Sequence, residues 1–193
     1  MAKTMSGQKV VTPSADDIAE AIKSTKDSGL PPVHLWNPPF CGDLDIQILR
    51  DGTWIHEGRP INRPKMVQLF SSILKREGDK FFLVTPVEKV GITVEDAPFV
   101  AIDVDSQGEG TEQVLTFTTH VGDQVVAGAD NPIRLADGAE PTPYVMVRAG
   151  LEARIDRKSF YRMVELGVHH DDWFGVWSAG AFFGLMPSAE VEG

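Results

Sequence analysis

A single cysteine, Cys41, excludes any intramolecular disulfide, and the redox logic of cysteine usage then favours a reducing compartment. No apolar stretch follows a basic segment near the amino terminus, which argues against secretion and membrane insertion. A cytoplasmic chain is predicted. Cationic side chains are also scarce, 18 Lys and Arg against 28 Asp and Glu, for a formal charge of -10. A protein gripping a long nucleic acid displaces counterions with a basic face, and this balance speaks against one. The signatures of common enzyme classes are missing as well: no Gly-x-Ser-x-Gly, no phosphate-binding loop and no dinucleotide fingerprint occurs. A non-enzymatic protein without a cofactor is the expectation.

What is present is a repeat. IQILRDG, TWIHEGRP, INRPKMVQLFSSILK and KFFLVT return loosely as YVMVRAG, LEAR, IDRKSFYRMVEL and DWFGVWS. Arg50 and Gly52 answer to Arg148 and Gly150 at an offset of 98; Ile61, Asn62 and Arg63 answer to Ile155, Asp156 and Arg157 at 94; Phe82 and Val84 answer to Phe174 and Val176 at 92. An offset that only shrinks is what loop deletion leaves in a duplicated folding unit. Gly52 suits the positive φ of a two-residue hairpin turn. Asn62 and Asp156 are placed to cap helices. Met66, Phe70, Ile73 and Leu74 fall on one helical stripe, as do Phe160, Met163, Val164 and Gly167. KFFLV and WFGVW read as buried strands. The predicted fold class is therefore α+β, an internally duplicated strand-strand-helix-strand unit in two small domains. These are expected at residues 1–90, with a leading helix and proline-rich strap, and at 91–193, mostly strands with one helix.

The remainder reads more simply. MAKTMSGQKVV has no strong pattern and is expected to fray. Ser14 and Asp17 have capping-box spacing ahead of Ile18 and Ile22, with Gly29 as a stop. LPPVHLWNPPFCG is too rich in proline for a helix and reads as an extended strap pinned by Trp36 and Phe40. Alternation through Val87 to Val94, Val100 to Val104 and TEQVLTFTTH predicts strands, with shorter ones near Val125 and Ile133. Residues 91–142 hold one Lys or Arg against ten Asp and Glu, whereas residues 44–90 hold eight against six. The acidity lies between the repeats.

Several clusters carry chemistry on paper. His169, His170, Asp171 and Asp172 are competent ligand types, yet adjacent residues seldom converge on one ion, and the run reads as a solvated loop closing a helix. Cys41 with His34 and His56 suggests a thiol nucleophile, but a lone cysteine near prolines usually packs. Asp103, Asp105, Glu109 and Glu112 read as a solvated rim rather than as paired acid-base groups. Arg50, Arg59, Arg63 and Lys89, with Trp54 and His56 from the hairpin and Arg148, Arg154 and Arg157 from the second copy, have the makings of an anion-binding wall near the seam. The opposing reading pairs these arginines with local carboxylates and makes Trp54 a core cap.

WNPPFCGDLDIQILRDGTWIHEGRPINRPKMVQLFSSIL, FFLVTPVEKVGITVEDAPFV and PYVMVRAGLEARIDRKSFYRMVEL resemble a bacterial family, Domain of Unknown Function 1285, over roughly residues 34–186. The resemblance implies a duplicated α+β core whose second domain is similar to the pleckstrin-homology-like barrel. It also implies an inter-domain surface binding a small nucleotide-like ligand in signalling. Trp54, Arg63, Thr85, Glu88, Lys89 and Arg148 are the ligand contacts it suggests; no catalytic residue is carried over from it, and no metal or cofactor is expected. A ligand-sensing or adaptor protein is thus the leading expectation. A protein-interaction module with an acidic surface is the alternative, and an enzyme using His56 or His120 stands behind both.

Overall fold

The structure, a computed structural model, describes residues 12–23, 29–138 and 140–191. The opening MAKTMSGQKVV and the stretch leading to the expected stop at Gly29 lie outside these residues. The architecture is α+β, two-domain and mostly strands with few helices. Two compact units divide the chain: Met1–Gln47 with Ile55–Thr93, and Ile48–Trp54 with Val94–Gly193.

In the first unit, helix α1 (Ala15–Lys23) starts where Ser14 and Asp17 cap each other. Ser14 Oγ accepts the Asp17 N–H at 3.2 Å, and the Asp17 carboxylate accepts from the Ser14 hydroxyl at 2.7 Å and amide at 3.0 Å. Those bonds hold the Asp17 carboxyl below the usual carboxylate range. Ala15, Ile18, Ala19 and Ile22 form its buried face. The strap contains a short 3-10 turn at Val33–Leu35 and is fixed by Lys75 Nζ donating to the Trp36 carbonyl at 3.2 Å, and by Phe40 standing edge-on to Phe82.

Strands β1 (Phe40–Ile48), β2 (Trp54–His56), β3 (Arg59–Pro60), β4 (Leu74–Glu77), β5 (Lys80–Val84) and β6 (Lys89–Val94) make one sheet in the order β3-β2-β1-β6-β5-β4. Helix α2 (Pro64–Ser72) buries Phe70 completely, a side chain whose removal from water contributes about 1.5–3 kcal/mol. The helix is shorter than its apolar stripe suggests. Ile73 and Leu74 are buried, but Leu74 opens β4, paired with Leu83, instead of continuing the helix. Asn62 does not cap α2: Arg63 is the N-cap residue, held extended at φ -121° ahead of Pro64, because a residue before proline is barred from the helical region.

The second unit is built on a curled sheet in the order β10-β11-β12-β7-β8-β9, a half-barrel. Its strands are β7 (Phe99–Gln107), β8 (Val114–Thr119), β9 (Gln124–Val126), β10 (Ile133–Ala136), β11 (Thr142–Arg148) and β12 (Leu151–Ile155). All pairs are antiparallel except β12 with β7, where Ala153 meets Phe99 and Ile155 meets Ala101. Asp156 caps α3 (Arg157–Val164) as expected, accepting from the Ser159 N–H at 2.8 Å. A separate three-stranded sheet joins β13 (Val168–His170), β14 (Trp173–Ser178) and β15 (Ala181–Pro187), ahead of the short α4 (Ser188–Val191). Ser178 ties it to the half-barrel: its hydroxyl donates to the Ala127 carbonyl at 2.7 Å and accepts the Leu115 N–H at 2.9 Å.

The duplication is visible as β1, β2, α2, β4, β5 and again as β11, β12, α3, β13, β14. Three details differ from the sequence reading. The first hairpin turns through three residues, Arg50 to Gly52, since Leu49 N–H bonds to Thr53 O at 2.8 Å; the second turns through two, Ala149 and Gly150, with φ of 46° and 79°. His169 to Asp172 is not a loop closing a helix but a hairpin, β13 to β14, equivalent to the β4–β5 hairpin. Gly78 and Asp171 take the same positive φ, 60° and 51°. Aligning those turns sets Lys80 level with Trp173, so Leu83 rather than Val84 answers to Val176. A one-residue slip of this kind changes which face each side chain occupies.

Candidate functional site

A pocket of about 730 Å³ lies within the first unit. One wall is the β2–β3 hairpin. Glu57 and Gly58 have φ of 48° and 74°, the paired positive values that turn a chain through two residues. His56 and Arg59 are consequently cross-strand partners, with side chains on the same face. The link Pro60 to Asn62 and the start of α2, Arg63 and Met66, form the floor, and Ser14, Ala15 and Asp16 at the start of α1 close the third side. The Arg63 carbonyl accepts the N–H groups of Met66 and Val67 and so is engaged by the first turn of α2. Among the described residues, neither Arg59 nor Arg63 has a carboxylate at ion-pair distance. Two exposed, unpaired arginines beside a histidine and an asparagine favour a planar anion; Asp16 and Glu57 on the rim favour a ligand that also carries donors.

The six residues suggested by family resemblance are dispersed. Thr85, Glu88 and Lys89 come together in the turn between β5 and β6. There the buried Thr85 hydroxyl accepts the Glu88 N–H at 3.1 Å, and the Thr85 N–H donates to the Glu88 carbonyl at 2.8 Å. Lys89 donates to Glu77 at 2.9 Å with its ammonium 4.8 Å from the Phe82 ring centroid, and this partner holds the Glu77 carboxyl below its usual range. Arg63 stands at the pocket. Trp54 and Arg148 belong to the second unit: Trp54 is 2% exposed, and Arg148 donates to Asp123 at 2.7 Å over the Phe99 ring. Of the wider arginine set, Arg154 donates to the Arg50 carbonyl at 3.1 Å, and both guanidinium groups approach Asp96, at 3.6 and 3.7 Å.

Other clusters take ordinary places. His169 shares a hydrogen bond with Ser188, and His170 packs between Trp177 and Phe182 at ring distances of 5.0 and 4.9 Å. Among the described residues no group of three or more His, Cys, Asp and Glu is arranged to hold a metal ion. The Cys41 thiol donates to the Pro39 carbonyl. Asp103 pairs with Arg162, which lowers its carboxyl pKa. His56 and Arg59 are both candidates in the sequence, but their apposition comes from the hairpin. The Glu-Gly pair between them is the local signal that finds the hairpin; nothing in the sequence indicates that α1 supplies the third wall.

A duplicated two-domain α+β chain with a curled second sheet is the class this architecture defines. The chain belongs to the DUF1285 family: residues 31–97 match its N-terminal domain, described as a domain of unknown function, and residues 98–185 match its C-terminal domain. It is similar to the crystal structure of a DUF1285 family protein from Silicibacter pomeroyi DSS-3, with 64% identity, 93% of this chain and 98% of that one covered, and a TM-score of 0.87. A second DUF1285 family protein, from Shewanella baltica OS155, shares 28% identity over 63% of this chain and 91% of that one, with a TM-score of 0.53. No curated protein matches the chain. Among the described residues no helix is long and apolar enough to cross a membrane.

Proposed function

We propose that this chain is a non-enzymatic ligand-sensing protein of bacterial signalling, acting in the cytoplasm, which binds a small anionic ligand at the pocket of the first unit. The observation that carries the reading is the pair Arg59 and Arg63, both lining the pocket and both without an ionic partner among the described residues. Unpaired guanidinium groups in a concave site give planar, bidentate recognition of phosphate or carboxylate. The bacterial setting is supported by the two relatives' organisms. A thermal-shift screen against nucleotides and simple carboxylates tests it. A binding ligand raises the midpoint by mass action; Arg59→Ala and Arg63→Ala abolish the rise, while Lys89→Ala, whose ammonium is engaged by Glu77, retains it. No rise with any anion, or a rise indifferent to both arginines, refutes the reading.

A protein-interaction role has its own supporting observation. Asp105, Glu109 and Glu112 are exposed near the β7–β8 connection and lack ionic partners among the described residues. A basic partner captured at low salt, and lost both at high salt and on neutralising these three residues, favours an adaptor over a sensor.

A further inference from the structure

We propose that the arginine pocket and the groove between α1 and α2 form one bipartite site for an aliphatic carboxylate, an amphiphile with an anionic head and an acyl tail. This rests on the reading of the pocket as an anion site and specifies the rest of the ligand. A second cavity, about 550 Å³, is lined by Ala19 of α1, by Met66 and Leu69 of α2, and by Lys23, Arg63 and Lys65. Asp16, Arg63 and Met66 line both cavities, so the two spaces adjoin along these residues.

Two features select the tail. Among the described residues no Phe, Tyr or Trp lines either cavity, the only aromatic ring there being the imidazole of His56 in the arginine pocket, and the indole of Trp54 is packed in the core. A nucleobase entering the groove therefore meets no ring among the described residues on which to stack, the interaction that usually holds a base on a protein surface. The groove instead offers Ala19, Met66 and Leu69, a surface that rewards each methylene removed from water, and lysine and arginine stems extend it while their charged ends stay wet.

Charge then orients the ligand. The α1 side of the groove carries Asp16, Asp17 and Glu20, which offset the cationic ends of Lys23 and Lys65 along it. Arg59 and Arg63, across the pocket, attract an anionic head. The carboxylate accordingly sits at the two arginines, with the chain running past Met66 toward Leu69. Methionine suits this position because its unbranched thioether adapts to chains of different length.

Isothermal titration calorimetry on the full chain with hexanoate, decanoate below its micelle-forming concentration, and adenosine monophosphate tests the assignment. Decanoate is expected to bind at least about tenfold tighter than hexanoate, as several added methylenes leave water. Arg63→Ala weakens both fatty acids by roughly tenfold, a charge-assisted hydrogen-bond loss. Leu69→Asn, which alters the groove and not the arginine pocket, brings decanoate down to the affinity of hexanoate; if that variant melts early, Leu69→Ala, which keeps a good helix former, serves as the same arm. If the nucleotide binds through Arg63 and decanoate does not, the bipartite site is overturned while the anion pocket stands. If none of the three anions binds, both fall. Decanoate binding that ignores all the substitutions reports nonspecific adsorption and also overturns the proposal.

Discussion

His120 accepts the backbone N–H of Val100 at its Nδ1, at 3.1 Å. That bond fixes the tautomer, because a ring nitrogen that accepts cannot carry a proton, so the proton sits on Nε2. Burial outweighs the nearby Asp123 and Asp51 charges and pushes the imidazole below its ordinary value.

A pH dependence with a definite sign follows. An unfolded histidine takes up a proton near pH 6.5, whereas folded His120 resists until a lower pH, so the unfolded state binds more protons in that window. Stability is full above about pH 7.5 and falls as pH drops through 6.5 toward the depressed folded value. Urea midpoints measured between pH 8 and 5.5 are expected to decline. His120→Asn, whose Oδ1 accepts in place of Nδ1, flattens that slope, and an unchanged slope assigns the proton uptake elsewhere.

Gly52 meets the same imidazole from the hairpin. Its φ is 88°, and a Cβ there would lie 3.0 Å from His120 Nε2 and 3.2 Å from Val100 Cγ2. Gly58, at φ 74°, faces open space. Alanine at Gly58 adds only the left-handed backbone penalty, about 1 kcal/mol, while alanine at Gly52 adds overpacking, for a total of about 2–4 kcal/mol. Chemical denaturation of the two variants separates them; equal losses imply that His120 and Val100 yield freely.

Ser178 is fully buried and serves two backbone groups of the half-barrel. Removing the hydroxyl in Ser178→Ala leaves the Leu115 N–H and the Ala127 C=O short of a partner, a cost of about 2–4 kcal/mol for two unmet groups. Faster amide exchange at Leu115 than at Phe117, on the same strand, is the local signature. Uniform acceleration along β8 indicates global destabilisation instead.

Local chemistry made part of this legible. The Ser14–Asp17 box and the Asp156 cap need only neighbours within a turn, and both form. Asn62 misled because proline at position 64 shifts the cap to Arg63, a backbone constraint that outweighs side-chain preference. Ile73 and Leu74 extended the helical stripe because burial has the same composition on a helix and on a strand. For the candidate pocket, His56, Arg59 and Arg63 are close in sequence, yet Ser14 to Asp16 reach them only through packing. Long-range closure of that sort leaves no mark in a single sequence.

The family boundary near residue 97 does not mark where the second unit ends. Ile48–Trp54 groups with it, through bonds on both sides of the hairpin. The Ile48 carbonyl accepts the Glu95 N–H at 2.9 Å, the Arg50 N–H donates to Glu95 at 2.7 Å, and the Arg50 carbonyl takes the Arg154 guanidinium. Tyr144 donates to Asp96 at 2.6 Å in the same cluster, and burial with that carboxylate pushes the phenol up to about 12. A fragment of residues 94–193 lacks the hairpin, uncovers His120 and Val100 beside Gly52, and leaves Glu95 without Ile48 and Arg50 and Arg154 without the Arg50 carbonyl. It is expected to lose cooperative unfolding and to bind a hydrophobic dye, as chains do when fixed packing is lost. Adding a peptide spanning residues 44–58 restores a cooperative transition, since binding to the folded state alone stabilises it. A fragment that melts as sharply as the whole chain, with no peptide present, shows that the hairpin is dispensable to this unit.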